Sequence, residues 1–294
     1  MNDAIAAMLA RYGPIRHLQD EDNALREIIQ HLALLGLHRG GFFEKASFYG
    51  GTALRILYNL SRFSEDMDFC LATPDENFSF VPYLKFIEHE LARYGFSATV
   101  EEKRAGPDVA IGSAFVKQDT IAGLLVIDRK RRGPRGQLIK VRLEVDKRNP
   151  PGSARVRKLV KLPVPFLVGT LDEPSLFAGK VHALLARAYL NRVKGRDYYD
   201  FLFYSARDTP INMRYLEAKL RDSGHYRDSE ELSVELLIEM LVHKFQSVDF
   251  EKARDDVRPL IKADEVRSLD DWEPALFTDI ARELRAKESI DVAL

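Results

Sequence analysis

The sequence predicts an α+β protein, with a front part that mixes helices and a sheet and a back part that is largely helical. Three patterns predict it. Apolar residues recur at helical spacing over residues 25–37, short apolar runs alternate with turn residues between 96 and 152, and beyond Ser175 apolar residues return at threes and fours with little alternation. Pro150, Pro151, Pro163, Pro165 and Pro174 cluster between the two regimes. The division is therefore placed near residue 165, giving parts 1–165 and 166–294.

The elements follow in order. The helix over 25–37 ends at Arg39, Gly40 and Gly41. Gly50 and Gly51 turn the chain after Phe48 and Tyr49, and Thr52 opens a helix whose Ala53, Leu54, Ile56, Leu57 and Leu60 share one apolar face. SEDMDFCL, residues 64–71, reads as a strand with Met67, Phe69 and Leu71 on one side and Asp66 and Asp68 on the other. A helix over 82–94 precedes a strand through Phe96, Ala98 and Val100. Residues 112–152 read as strands around a basic hairpin or loop at 129–135. Within them IKVRLEVDKR sets Val141, Leu143 and Val145 on one face and Lys140, Arg142, Glu144 and Asp146 on the other. Pro174 suits the first turn of a further helix, and the last thirty residues read as charged helix broken at Pro274.

Composition narrows the function classes. The chain has 294 residues, 46% of them apolar, enough for a sizeable core in one large or two ordinary domains. With 44 basic against 45 acidic side chains the net charge is −1, so a nucleic-acid partner would have to use a local patch. The single cysteine, Cys70, excludes an internal disulfide and suits a reducing compartment. No window reaches the ~18 consecutive apolar residues of a membrane span, and the N-terminus lacks the pattern of a signal sequence. A soluble, cytoplasmic protein is expected.

The chemistry concentrates in residues 48–71. Glycines before a helix let the backbone approach a ligand, and the free N–H groups of the helix start attract phosphate; Gly50 and Gly51 would equally serve a plain turn. Asp66 and Asp68, less than ~7 Å apart on a strand, can share a Mg²⁺ ion, a hard cation that prefers carboxylate oxygen. Glu144 or Asp146 could complete a cluster of the kind two-metal phosphoryl transfer uses, Glu144 being favoured, if the two strands are neighbours. Farther on, Lys180, Leu184 and Arg187 share a helical face, and Asp197 and Asp200 share another, with Arg196 able to pair with Asp200. His182 and His243 have no second histidine at helical spacing and read as helical surface or partial burial.

GGTALR, then RFSEDMDF, then Lys180 and RDYYD at 196–200, resemble the AbiEii/AbiGii-type nucleotidyltransferase toxins. That group includes the mycobacterial MenT toxins and lies within the DNA polymerase β superfamily. The likeness covers about residues 45–205, with Thr52 standing where serine is common. It implies a bilobed protein whose nucleotidyltransferase core, a mixed sheet flanked by helices, precedes a helical part carrying the lysine and RDxxD motifs.

The resemblance also implies roles. Gly50, Gly51 and Thr52 would hold the triphosphate of an NTP. Asp66, Asp68 and Glu144 would hold Mg²⁺ or Mn²⁺, with Glu144 activating the acceptor hydroxyl. Lys180 would neutralise phosphate charge, and Asp200, or Asp197, would orient Lys180 or an arginine. Arg55, Arg62, Ser64, Arg187 and Asp197 are further candidates for the nucleotide site, Arg55 and Arg62 either touching nucleotide or bracing the acids. Phosphorylation of Ser64 would place negative charge beside Asp66. The family suggests a toxin, acting as a monomer and restrained by a cognate antitoxin, that adds nucleotides to the 3′ end of tRNA and blocks its aminoacylation. The basic runs DRKRRGPRGQLIK and RVRKLVK could contact its phosphates. Transfer to a protein or a small molecule, and a non-catalytic binding module, are the alternatives.

Overall fold

The structure, a computed structural model, describes residues 3–12, 18–103, 120–128, 138–187 and 193–287. The basic segment at 129–135 lies outside them. The chain divides into two compact units. The first comprises Met1–Asn59, Phe63–Asn149 and Arg155–Thr170, and the second Leu60–Arg62, Pro150–Ala154 and Leu171–Leu294. The division expected near 165 falls between two strands of one sheet.

The first unit opens with α1 (Asp3–Leu9) and α2 (Leu18–Arg39), continues through β1 (Ala46–Tyr49), α3 (Gly50–Tyr58), β2 (Met67–Leu71) and α4 (Val81–Arg93), and ends in the strands β3 (Ser97–Lys103), β4 (Thr120–Asp128), β5 (Leu138–Asp146), β6 (Arg155–Val160) and β7 (Phe166–Leu171). The strands form one mixed seven-stranded sheet in the order β3-β4-β5-β2-β1-β7-β6. β2 pairs antiparallel with β1 and parallel with β5. Helix α2 begins seven residues before the apolar periodicity does, with Asp20 and Glu21 in its first turn, where the helix dipole favours acids.

Period-two alternation decides the sheet faces. Val141, Leu143 and Val145 of β5 and Met67 and Phe69 of β2 are buried in the core with Ile28, Ile29 and Leu32 of α2 and Ile87 and Leu91 of α4. Phe42 anchors an aromatic cluster, its ring 5.0 Å from Phe69, 5.3 Å from Phe80 and 5.1 Å from Tyr83. Helices α2 and α4 cross closely at Gly36, where an added Cβ would stand 2.7 Å from Ile87 Cα.

The second unit is helical: α5 (Glu173–Ala186), α6 (Gly195–Ser205), α7 (Met213–Asp222), α8 (Val234–Gln246), α9 (Phe250–Val257) and α10 (Pro274–Arg282). The Asp172, Asn212, Ser233 and Asp249 side chains cap α5, α7, α8 and α9 by accepting from backbone N–H groups. Tyr198, Phe201, Phe245 and Phe277 fill its core. Pro274, expected to break a helix, instead starts α10, because proline at a first helical turn forfeits only an N–H that would lack a partner anyway. Among the described residues no helix is long and apolar enough to cross a membrane.

Gly36 yields a test with a decided sign. Helix propensity alone would make Gly36→Ala stabilising by about 0.5–1 kcal/mol, but overpacking against a backbone that cannot turn aside costs about 1–3 kcal/mol. Gly36→Ala should therefore lower the melting temperature by roughly 2–8 °C; a thermal melt that rises would show that α2 and α4 can separate freely.

Candidate active site

The first unit aligns three elements at one point of its sheet. In the strand registers Tyr49 stands opposite Asp68, and Asp68 stands opposite Glu144, so a single row crosses β1, β2 and β5. Between Tyr49 and α3 the chain turns through Gly50 at φ +79°. A Cβ built on Gly50 would lie 2.1 Å from Oδ2 of Asp68. Glycine is required there twice, for the left-handed backbone and for the carboxylate that occupies the side-chain position. Gly50 is the first residue of α3, so the Asp68 carboxylate lies where the helix dipole favours negative charge.

Asp66 immediately precedes β2 and is half-buried, as is Asp68, while Met67 and Phe69 are buried. This is the alternation expected from the sequence. Glu144 lies on the same side and its Oε1 is 3.3 Å from Nη1 of Arg142. Asp146 stands opposite Cys70, and its Oδ1 accepts from the Arg148 N–H at 3.0 Å, closing the turn after β5. Asp66 and Asp68 fit Mg²⁺ or Mn²⁺ in donor chemistry, and the absent Gly50 side chain leaves room for the Asp68 oxygen. The third donor is not gathered: among the described residues no group of three or more His, Cys, Asp or Glu side chains could hold a metal ion, and Glu144 is turned to Arg142.

Other expected ligand residues have partners within the fold. Thr52, placed by the sequence beside phosphate, is fully buried and donates its hydroxyl to the Asp66 carbonyl. Arg55 donates to Glu27 of α2 at 2.8 Å, with its guanidinium 4.5 Å from the centre of the Phe63 ring. The carbonyls of Ser64 and Glu65 each accept from Nε2 of Gln30 at 3.0 Å. An irregular segment needs partners for its backbone polar groups, and here core side chains supply them. In the run RVRKLVK, Arg155 turns back to Ser47 and the carbonyls of Phe43 and Ala46, and Lys158 lies over Tyr58. Arg157 and Lys161 are exposed.

In the second unit Asp200 of α6 is the centre of a buried network. Its Oδ1 and Oδ2 accept from Nε and Nη2 of Arg62 at 2.6 and 2.7 Å, and Oδ2 also meets Nζ of Lys180 at 2.6 Å. Arg62 and Asp200 are 1% and 0% exposed. Arg62, not Arg196, is the arginine paired with Asp200. Asp197 pairs with Arg187, the C-cap residue of α5 rather than part of its face. Burial alone would raise the Asp200 carboxyl, but the charges and hydrogen bonds of Arg62 and Lys180 outweigh it and hold the group below the usual carboxylate range. His182 is buried, with Nε2 3.0 Å from the Ser223 hydroxyl.

Sequence reasoning missed Gln30, Glu27, Tyr199 and Glu265. The Glu265 carboxylate receives the Ser61 hydroxyl and, at 2.5 Å, the Tyr199 hydroxyl. No spacing rule links such residues, since their partners are 28 to 204 positions away.

Breaking the Arg62–Asp200 pair leaves a buried charge half-satisfied, so Arg62→Met should lower the unfolding free energy at neutral pH by about 3 kcal/mol or more. Because the folded Asp200 carboxyl is depressed, its contribution is complete above the unfolded value of about 4 and is lost as pH falls through the folded one. Denaturant melts should show the deficit of Arg62→Met narrowing below about pH 4. A deficit that does not change with pH would assign it to packing alone.

Residues 32–277 match the family described as nucleotidyl transferase AbiEii toxin, type IV toxin–antitoxin system. No curated protein sequence matches the chain. Among solved structures, JHP933 from Helicobacter pylori is 17% identical, with 90% of this chain and 88% of that one covered at a TM-score of 0.46. A candidate nucleotidyltransferase from H. pylori is 15% identical, with 90% and 96% covered at 0.48. With residues 32–277 of its 294 matched, the chain belongs to the AbiEii nucleotidyltransferase toxin family of type IV toxin–antitoxin systems.

Proposed function

We propose that this nucleotidyltransferase transfers NMP from an NTP to the 3′ end of tRNA, releases pyrophosphate, and works with Mg²⁺ held by Asp66 and Asp68. The observation that carries the reading is the row of Asp68 and Glu144 opposite one another beside the start of α3. A helix N-terminus offers N–H groups to phosphate, so Gly50 and Gly51 bind the triphosphate through their backbone. A divalent ion on the two aspartates would neutralise charge developing at the α-phosphate.

The remaining chemistry falls to this chain's own side chains. The acceptor hydroxyl attacks the α-phosphorus, its proton passes to the Glu144 carboxylate, and the bond to pyrophosphate breaks. Arg142 lies 3.3 Å from Glu144 and orients that carboxylate. Lys180 supplies a compact cation with three donors for the phosphate charge; Asp200 takes one donor and orients the rest. Exposed Arg157 and Lys161, with the basic run at 128–140, support a polyanionic acceptor. The same reading makes the protein a cytoplasmic monomer restrained by a cognate antitoxin.

The purified protein, incubated with Mg²⁺, total tRNA and each labelled NTP in turn, should label tRNA, and Asp66→Asn should lower the rate at least ~10²-fold. Label on protein or a small molecule would replace the acceptor, and no label with any NTP would overturn the transfer. Gly50→Ala, which drives a methyl group into Asp68, should lose more than ~10²-fold in turnover. Full turnover in that variant, measured in the same assay, would remove Asp68 from the reaction.

A further inference from the structure

Asp66 and Asp68 are held in different ways. Asp68 lies inside β2, opposite Tyr49 of β1 on one side and Glu144 of β5 on the other, so the sheet sets the direction of its side chain. Asp66 stands one residue before β2, whose register with β5 starts at Met67 opposite Leu143. Two core side chains of the same unit act on it instead. Nε2 of Gln30, on α2, donates to the carbonyls of Ser64 and Glu65 at 3.0 Å each, and the Thr52 hydroxyl, in the first turn of α3, donates to the carbonyl of Asp66 itself. Gln30 and Thr52 are both 0% exposed.

These donors act on one residue because a peptide unit is planar. The Glu65 carbonyl shares a plane with the Asp66 N–H, and the Asp66 carbonyl shares one with the Met67 N–H. Between those planes only the φ and ψ of Asp66 can turn, and together they set where its Cβ points. Gln30 grips the plane before the residue and Thr52 the plane after it. We infer that Gln30 and Thr52 are positioning residues of the divalent-metal site, fixing the direction in which the Asp66 carboxylate is presented to the ion. Neither touches the ion or a reacting group. The inference rests on the proposed role of Asp66 as a metal ligand, and it gives Thr52 a task other than phosphate contact. The chemistry of Gln30 supports it. Its Oε1 is buried with no hydrogen-bond partner among the described residues, a cost that an apolar side chain of similar size avoids. What the amide adds at this position is its grip on two carbonyls.

Three full-length variants test it. Gln30→Met keeps the length of the side chain and removes the donor, Thr52→Val keeps the shape and removes the hydroxyl, and Thr52→Ser keeps the hydroxyl. Mn²⁺ binding without nucleotide is read from the loss of the free-ion EPR signal, with Asp66→Asn as the reference. Groups that orient metal-ligating carboxylates are worth about 10–100-fold in affinity. Gln30→Met and Thr52→Val should therefore weaken Mn²⁺ binding at least ~10-fold, with Thr52→Ser within about twofold of wild type. In the labelling assay, turnover of the first two should fall about 10-fold while KM for NTP stays within about twofold, the pattern of lost positioning. A merely structural role would lower the melting temperature while folded molecules bind Mn²⁺ as wild type does. That result in either variant, or a Thr52→Val effect confined to KM for NTP, overturns the inference. Mn²⁺ binding that is absent in wild type, or equal in wild type and Asp66→Asn, overturns the metal reading and takes the inference with it.

Discussion

The Asp68 carboxylate occupies the place where any residue but glycine would put a side chain at position 50. That single close approach fixes much of the first unit. It requires the left-handed turn at Gly50, which swings the chain from β1 directly into α3. It also sets β2 beside the start of that helix, and the parallel pairing of β2 with β5 then delivers Glu144 to the same row. Backbone, register and charge placement are here one constraint seen from three sides. The apolar faces of β2 and β5, packed with α2 and α4, supply the stability that keeps the carboxylates crowded.

The second unit solves a different problem, that of keeping a charged group ionised without water. Asp200 has two cations for one anion, so the network retains an excess positive charge centred on Lys180, which is 15% exposed while its partners are sealed. A lysine alone at that place would be free to choose among rotamers. Tied to a carboxylate that is itself gripped by a guanidinium fork, it is held in one orientation.

What was legible in the sequence was what a strand or helix displays locally. The alternation that sets Asp66 and Asp68 apart from Met67 and Phe69, and Glu144 apart from Val145, is a two-residue period and needs no partner to be seen. The adjacency of β2 and β5 was only a condition, because pairing of strands so far apart in the chain leaves no mark in either one. The hydroxyl of Thr52 and the guanidinium of Arg62 were read toward ligand for the same reason. A polar side chain beside a glycine turn looks free until the fold shows Asp66 and Asp200 as its partners. Pro274 was read as a break, since proline at a helix start and proline inside a helix differ only by which residues before it are helical. Glu265 has no local signature at all.

The second unit joins an early piece of the chain, Ser61 and Arg62, to residues made much later, Glu265 and Asp200. Gly50, Asp66 and Asp68 emerge from the ribosome long before Glu144, and Ser61 and Arg62 emerge more than a hundred residues before Asp200 and Glu265. Contacts so distant in sequence form late and slowly. A nascent or prematurely ended chain therefore carries Arg62 before its carboxylate partner Asp200 has been made.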